Sequence, residues 1–187
     1  IGEKYKVAVF ISGKGSNLKS LISFSKKLKS KYKINLVISN KRKAKGLIIA
    51  KKNKIITKIY NYKNPSVDEI KILRVLEKKK IDIICLAGFM KILSKNFIKA
   101  FNGKIVNIHP SLLPKYKGLN THVRVINNNE KYSGCTVHFV NAKLDSGKII
   151  LQKKIKIFKN DSPKTLQKRI LVEEHKIYSK ALMKILI

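Results

Sequence analysis

Asn107 and His109 are the residues in this chain best placed to do chemistry. They lie two apart in Ile105-Val106-Asn107-Ile108-His109-Pro110-Ser111-Leu112-Leu113-Pro114. The stretch begins as a short apolar strand. Pro110 stops it, because proline cannot donate to a ladder and pushes the preceding residue towards an extended conformation. Side chains two apart on a strand leave the same face. An amide donor and an imidazole therefore stand side by side at a strand end, the edge where α/β sheets carry their sites. Such a pair can meet developing negative charge and move a proton near neutral pH. The structural alternative is an Asn and a His satisfied by loop carbonyls.

A second candidate is Ser12-Gly13-Lys14-Gly15-Ser16-Asn17. It follows the apolar run Lys6 to Ile11 and precedes Leu18, Leu21, Ile22 and Leu28, which recur at helical spacing up to about Lys29. Strand, glycine turn and helix form the geometry in which backbone N–H groups hold a phosphate. Gly13 and Gly15 allow close approach, and Ser16 is a candidate helix cap. The turn is neither a complete Gly-x-Gly-x-x-Gly fingerprint nor a P-loop, and a plain strand-to-helix turn has the same pattern.

The elements that must position these residues alternate. Strands are expected over Ile34 to Ile38, Ile55 to Tyr60 and Ile81 to Leu86, and helices over Ala44 to Asn53 and Val67 to Lys79. The second helix shows Ile70, Leu73, Val75 and Leu76 as its apolar residues, after a polar connector from Asn61 to Pro65. Ala87 to Ser94 is a loop with an oily lining. After the central strand come a short helix through Asn127, strands over Gly134 to Val140 and Ile149 to Phe158, and a last helix capped by Ser162 and running to Leu186. The expected fold is α/β: a Rossmann-like open, mostly parallel sheet with helices on both faces and antiparallel strands in the C-terminal half. No linker or repeat interrupts it, so residues 1–187 read as one domain.

Composition narrows the partners. Lys and Arg number 43 against 10 Asp and Glu, a formal net charge of +33. That balance invites a nucleic-acid reading. The lysines, however, are spread over the whole chain, Arg is scarce, and Lys travels with Ile and Asn, which share AT-rich codons. Sequence-specific readers favour the Arg fork, so no specific nucleic acid is expected. No 18-residue apolar run is present, so no membrane span is expected. Cys85 and Cys135 lie in strands without metal spacing and read as buried thiols of a reducing cytoplasm, with no metal.

Several segments, in order, resemble the folate-dependent glycinamide ribonucleotide formyltransferases. These are Ile11 to Leu18, Leu86 to Ser94, Asn107 to Tyr116, Gly118-Leu119 with Thr121-His122, Thr136 to Val140, Leu144-Asp145, Ile149 to Gln152, and Glu174-His175 with Ile177-Tyr178. The resemblance implies transfer of the formyl group of 10-formyltetrahydrofolate to the amine of glycinamide ribonucleotide in purine biosynthesis. It implies Asn107, His109 and Asp145 as catalytic residues, with Asp145 raising the His109 pKa so that the imidazolium acts. It implies Gly15, Ser16, Asn17, Leu171, Val172, Glu173 and Glu174 for the ribonucleotide. Met90, Lys91, Ile92, Leu93, Asn107, Asn141, Ala142, Lys143 and Leu144 are implied for the folate. It further implies small-molecule partners only, a cytoplasmic enzyme, and a monomer or weak homodimer. Alternatives are a formyltetrahydrofolate hydrolase and a non-specific basic nucleic-acid-binding protein. His138 reads as a structural strand residue, and His122 and His175 as supports of the site.

Overall fold

A computed structural model describes residues 3–186. Seven strands form one sheet: β1 (Tyr5–Ile11), β2 (Tyr32–Ser39), β3 (Ile56–Ile59), β4 (Ile83–Leu86), β5 (Lys104–His109), β6 (Tyr132–Phe139) and β7 (Ile149–Lys156). Their order is β3-β2-β1-β4-β5-β6-β7. β1 to β5 run parallel, β6 is antiparallel to β5, and β7 to β6. The expected mostly parallel sheet with antiparallel C-terminal strands is present.

Each central strand is buried on both faces, which is why β1 and β4 read as unbroken apolar runs. Val7, Val9 and Ile11 point into one core with Leu18 and Leu21 of α1 (Ser16–Ser25) and Leu166, Ile170 and Ile177 of α6 (Pro163–Ile185). Leu47 and Ala50 of α2 (Lys45–Lys52) and Val125 of α5 (Thr121–Asn127) join them. Ala8 and Phe10 point into the other core with Ile72 and Leu76 of α3 (Pro65–Lys78) and Phe97 of α4 (Lys95–Ala100). Helices thus cover both faces.

The crossovers leave β1 towards β2 on one side and resume at β4 on the other. The C-terminal ends of β1 and β4 are therefore a topological switch point, where α/β sheets open a crevice. Both loops that leave there are tied together. Ser12 N donates to the Gly88 carbonyl at 3.1 Å, and Met90 N donates to Ser12 Oγ at 2.8 Å.

Four details differ from the sequence expectation. α1 stops at Ser25, whose Oγ turns back to the Ile22 carbonyl, and Leu28 lies outside it, 88% exposed. The inner face of α3 is Glu69, Ile72 and Leu76, whereas Ile70 is exposed. Glu69 is satisfied there because Ser94 donates to it from both N and Oγ, at 3.0 and 2.5 Å. Ser94 caps α4, a helix with no counterpart in the sequence reading, by accepting from Phe97 N at 3.0 Å. The connector before α3 is one residue shorter than expected, since Pro65 opens the helix, where its missing N–H costs nothing. At α6 the Ser162 cap is present as a capping box with Thr165.

Candidate active site

β5 pairs with β4 so that Asn107 stands beside Leu86, and with β6 so that Asn107 faces His138 and His109 faces Thr136. The sheet edge therefore assembles Asn107, His109 and His138 at the mouth of the loop that leaves β4. Asp145 arrives from the β6–β7 connection. Its Oδ2 lies 3.4 Å from His109 Nδ1, and its Oδ1 lies 3.4 Å from Asn107 Nδ2 and 3.7 Å from His138 Nε2. Asp145 is aimed by a backbone bond: Gly118 N donates to its Oδ2 at 2.9 Å.

His138 joins the cluster because of strand register. Its Nδ1 lies 2.8 Å from the Phe139 carbonyl and its Nε2 is 3.2 Å from Asn107 Nδ2. With Nδ1 protonated, Nε2 accepts from the Asn107 amide. The alternation Val137-His138-Phe139 gave no sign of this, since only the antiparallel pairing sets His138 opposite Asn107.

His109 is 6% exposed. Its Nε2 lies 2.9 Å from the Tyr116 carbonyl, so both ring nitrogens face oxygens. Burial pushes the imidazole below the ordinary histidine range, and the Tyr116 carbonyl and Asp145 carboxylate pull it upward. Burial prevails, so the His109 pKa lies below the ordinary histidine value instead of being raised by Asp145 as expected, and an acceptor oxygen faces each ring nitrogen. Asp145 shows the opposite balance. Burial would raise its carboxyl, but the nearby His138 imidazole, the bond from Gly118 N and the His109 imidazole outweigh that and hold it below the ordinary carboxylate range.

From this follows a pH prediction. Asp145→Asn removes an upward pull on His109, so the imidazole should titrate at lower pH, and the rate limb that reports it should move the same way. A pH–rate profile of the variant checks this, and an unmoved limb would break the pairing.

The glycine turn lies at the same edge. Gly15 has φ 75° and is the cap residue of α1, with no side-chain cap. Ser16, expected as the cap, is the first helical residue instead. A Cβ on Gly15 would lie 2.6 Å from Gly46 Cα, and Gly46 N donates to the Gly13 carbonyl at 3.0 Å. Gly15 is thus required by the close packing of the turn on α2. Gly13 meets nothing within 4 Å. The first N–H groups of α1 receive no side-chain cap, an arrangement that can accept an anion.

α6 brings Glu174 to that turn: Asn17 Nδ2 donates to Glu174 Oε2 at 2.6 Å. Asn17 Oδ1 is buried without a protein partner. Of the other α6 residues implied for the ribonucleotide, Leu171 is half-buried, Val172 is exposed, and Glu173 pairs with Lys176 at 2.7 Å. Ser12 was missed. Its Oγ donates to Asn40 Oδ1 and accepts from Met90 N, locking the ends of β1, β2 and β4.

Glu174 is 7% exposed, and burial raises its carboxyl above the ordinary range although the Asn17 bond lowers it. A carboxyl raised in the folded state contributes stability below its unfolded pKa and loses it as pH rises through the folded value. At alkaline pH the buried carboxylate therefore costs stability. Glu174→Gln, which keeps an acceptor for Asn17, is expected to melt roughly 2–4 °C higher at pH 8. The gain should vanish towards pH 4. A melting series showing no gain at pH 8 would refute this.

In the β4 loop, Met90 and Ile92 are 58% and 77% exposed, whereas Leu93 is buried in the core. Lys91, Asn141, Ala142, Lys143 and Leu144 are exposed. Leu144 Cδ2 lies 3.8 Å from where a Cβ on Gly118 would stand, which puts it at the Asp145 mouth. Exposed apolar side chains on both sides of Asn107 suit a flat, partly apolar ligand such as a folate. Among the described residues, no group of three or more His, Cys, Asp and Glu could hold a metal ion. No described helix is long and apolar enough to cross a membrane.

Residues 5–182 match the family model described as formyl transferase. The phosphoribosylglycinamide formyltransferase of Haemophilus influenzae is 44% identical over 176 residues, covering 92% of this chain and 83% of that protein. The trifunctional purine biosynthetic protein adenosine-3 of Homo sapiens is 46% identical over 183 residues, covering 96% of this chain; the chain spans 18% of that protein. The crystal structure of the phosphoribosylglycinamide formyltransferase from Brucella melitensis has a TM-score of 0.93 at 40% identity, covering 98% of this chain and 96% of that one.

Proposed function

We propose that this chain, which belongs to the formyl transferase family, transfers the formyl group of 10-formyltetrahydrofolate to the amine of glycinamide ribonucleotide in purine biosynthesis. The observation that carries the reading is the convergence of Asn107, His109 and Asp145, within 3.4 Å of one another in sequence of contact, at the edge that also holds the glycine turn. The N–H groups at the start of α1 take the ribonucleotide phosphate, and Glu174 beside Asn17 accepts from the donors of the same substrate. Met90 to Leu93 and Asn141 to Leu144 flank the folate.

In the reaction the amine nitrogen bonds to the formyl carbon, and the bond from that carbon to the folate nitrogen breaks. Asn107 presents its amide to the oxygen that gains charge, exchanging its long 3.4 Å contact to Asp145 for a shorter one. His109 takes up the proton released by the amine, and Tyr116 and Asp145 stabilise the imidazolium so formed. The same proton then goes to the departing folate nitrogen, so His109 ends neutral and the step balances. Phosphate held at α1 orients the amine, which turns remote binding into rate.

The proposal carries with it a cytoplasmic enzyme with small-molecule partners, monomeric or weakly dimeric, whose lysine excess serves no specific nucleic acid. Calorimetric titration with glycinamide ribonucleotide tests the placement. Binding without folate, weakened in competition by inorganic phosphate, is expected. Binding indifferent to phosphate would move the ribonucleotide away from the glycine turn.

A further inference from the structure

We propose that Glu130 is a positioning residue for His109, acting through Tyr116 so that the ring nitrogen facing Asp145 is the one that gains and loses the proton. The inference rests on the proposed role of His109, and its first test needs no catalytic turnover. Tyr116 is the joint. Its carbonyl oxygen holds His109 Nε2 at 2.9 Å, and its backbone is left-handed, φ 57°. A bulky residue keeps that conformation only where its surroundings impose it.

The constraint comes from the far end of the side chain. Tyr116 Oη donates to Glu130 Oε1 at 2.8 Å and accepts from Asn128 Nδ2 at 3.0 Å. The Arg124 guanidinium covers the ring, 5.3 Å from its centroid, and Arg124 Nη1 donates to the Lys117 carbonyl at 2.6 Å. Glu130 is itself fixed to the end of α5, its N donating to the Val125 carbonyl at 3.1 Å. Ring, hydroxyl and carbonyl of Tyr116 therefore form one strut between α5 and the imidazole.

A carbonyl can only accept, so a neutral imidazole bonded to it carries its hydrogen on Nε2. Nδ1 is left with its lone pair towards Asp145 Oδ2, 3.4 Å away, and becomes the site of proton uptake. If the strut loosens, both tautomers become available and the upward pull of the carbonyl on the imidazole weakens. The groups that face His109 are Asp145 and His138, from the β6 side, and His122 and Arg124 of α5. All four are unchanged in a Glu130 variant. The Glu130 carboxylate is partly exposed and also paired with Lys115 at 3.0 Å, so solvent screens its direct effect on the ring. The contact through Tyr116 remains as the route.

Nitrogen NMR of the His109 imidazole in the free protein reads both tautomer and titration midpoint. The native protein should show the Nε2–H tautomer. Glu130→Ala should show a mixture and a lower midpoint, with kcat for formyl transfer reduced about tenfold or more and KM for glycinamide ribonucleotide little changed. Glu130→Gln removes the charge but keeps an acceptor for Tyr116 Oη, and should restore the native spectrum and rate. Tyr116→Phe, which keeps the ring under Arg124, should shift tautomer and midpoint as Glu130→Ala does. A Glu130→Ala protein with the native tautomer and midpoint overturns the proposal. So does a Gln variant as impaired as Ala, which would make the effect one of charge. If the NMR changes appear while the native protein transfers no formyl group, the positioning stands and the proposed function falls.

Discussion

His109→Asn is expected to give a folded protein whose formyl transfer is slowed about a hundredfold or more. Asn107 stays to meet the developing charge, but the group that carries the proton between amine and folate nitrogen is gone. The neighbouring histidine does not replace it, because His138 Nδ1 is engaged with the Phe139 carbonyl at 2.8 Å and its Nε2 with the Asn107 amide. β5 keeps its ladder bonds to β4 and β6, so a melting curve should show a single transition only modestly lowered. Turnover within a few fold of native would show that the imidazole is not the proton carrier.

Gly15→Val should be the most damaging change at the turn, and for a reason only the fold reveals. From the sequence, the added side chain is expected to stand where a phosphate must approach. In the folded protein the Cβ points instead at α2, 2.6 Å from Gly46 Cα, and the residue must keep φ 75°. A left-handed β-branched residue costs about 1–2 kcal/mol, and the overpacking about 1–3 kcal/mol more. Melting should drop by roughly 5–15 °C, with activity lost alongside. Gly13→Ala, where a Cβ meets nothing within 4 Å, should melt within about 2 °C of native. If Gly15→Val melts like native and only ribonucleotide affinity falls, the packing explanation is wrong and the steric approach of the phosphate is the cause.

Much of the frame is legible in the residues because burial on both faces writes unbroken apolar runs into β1 and β4, and Pro110 marks the end of β5. The glycine turn is legible for the same reason, as glycines and a polar pair interrupt apolar periodicity. What stays hidden depends on contacts distant in sequence. The buried Glu69 is invisible because the donors that satisfy it are on Ser94, 25 residues on. His138 enters the cluster through antiparallel register. The lowered pKa of His109 reflects how deeply β5 is covered, which outweighs the pull of the Asp145 carboxylate. Resemblance to a family supplied Asp145 and Glu174, whose positions no local pattern connects to the strand end or the glycine turn.

The central claim is that this cluster moves a formyl group onto an amine. It is tested most directly by mixing the protein with isotopically labelled 10-formyltetrahydrofolate and glycinamide ribonucleotide, and following formylglycinamide ribonucleotide and free formate together. The predicted result is label passing one-for-one into formylglycinamide ribonucleotide, with formate near background whether or not the acceptor is present. Label released as formate, at a rate indifferent to glycinamide ribonucleotide, would contradict it and make the protein a hydrolase.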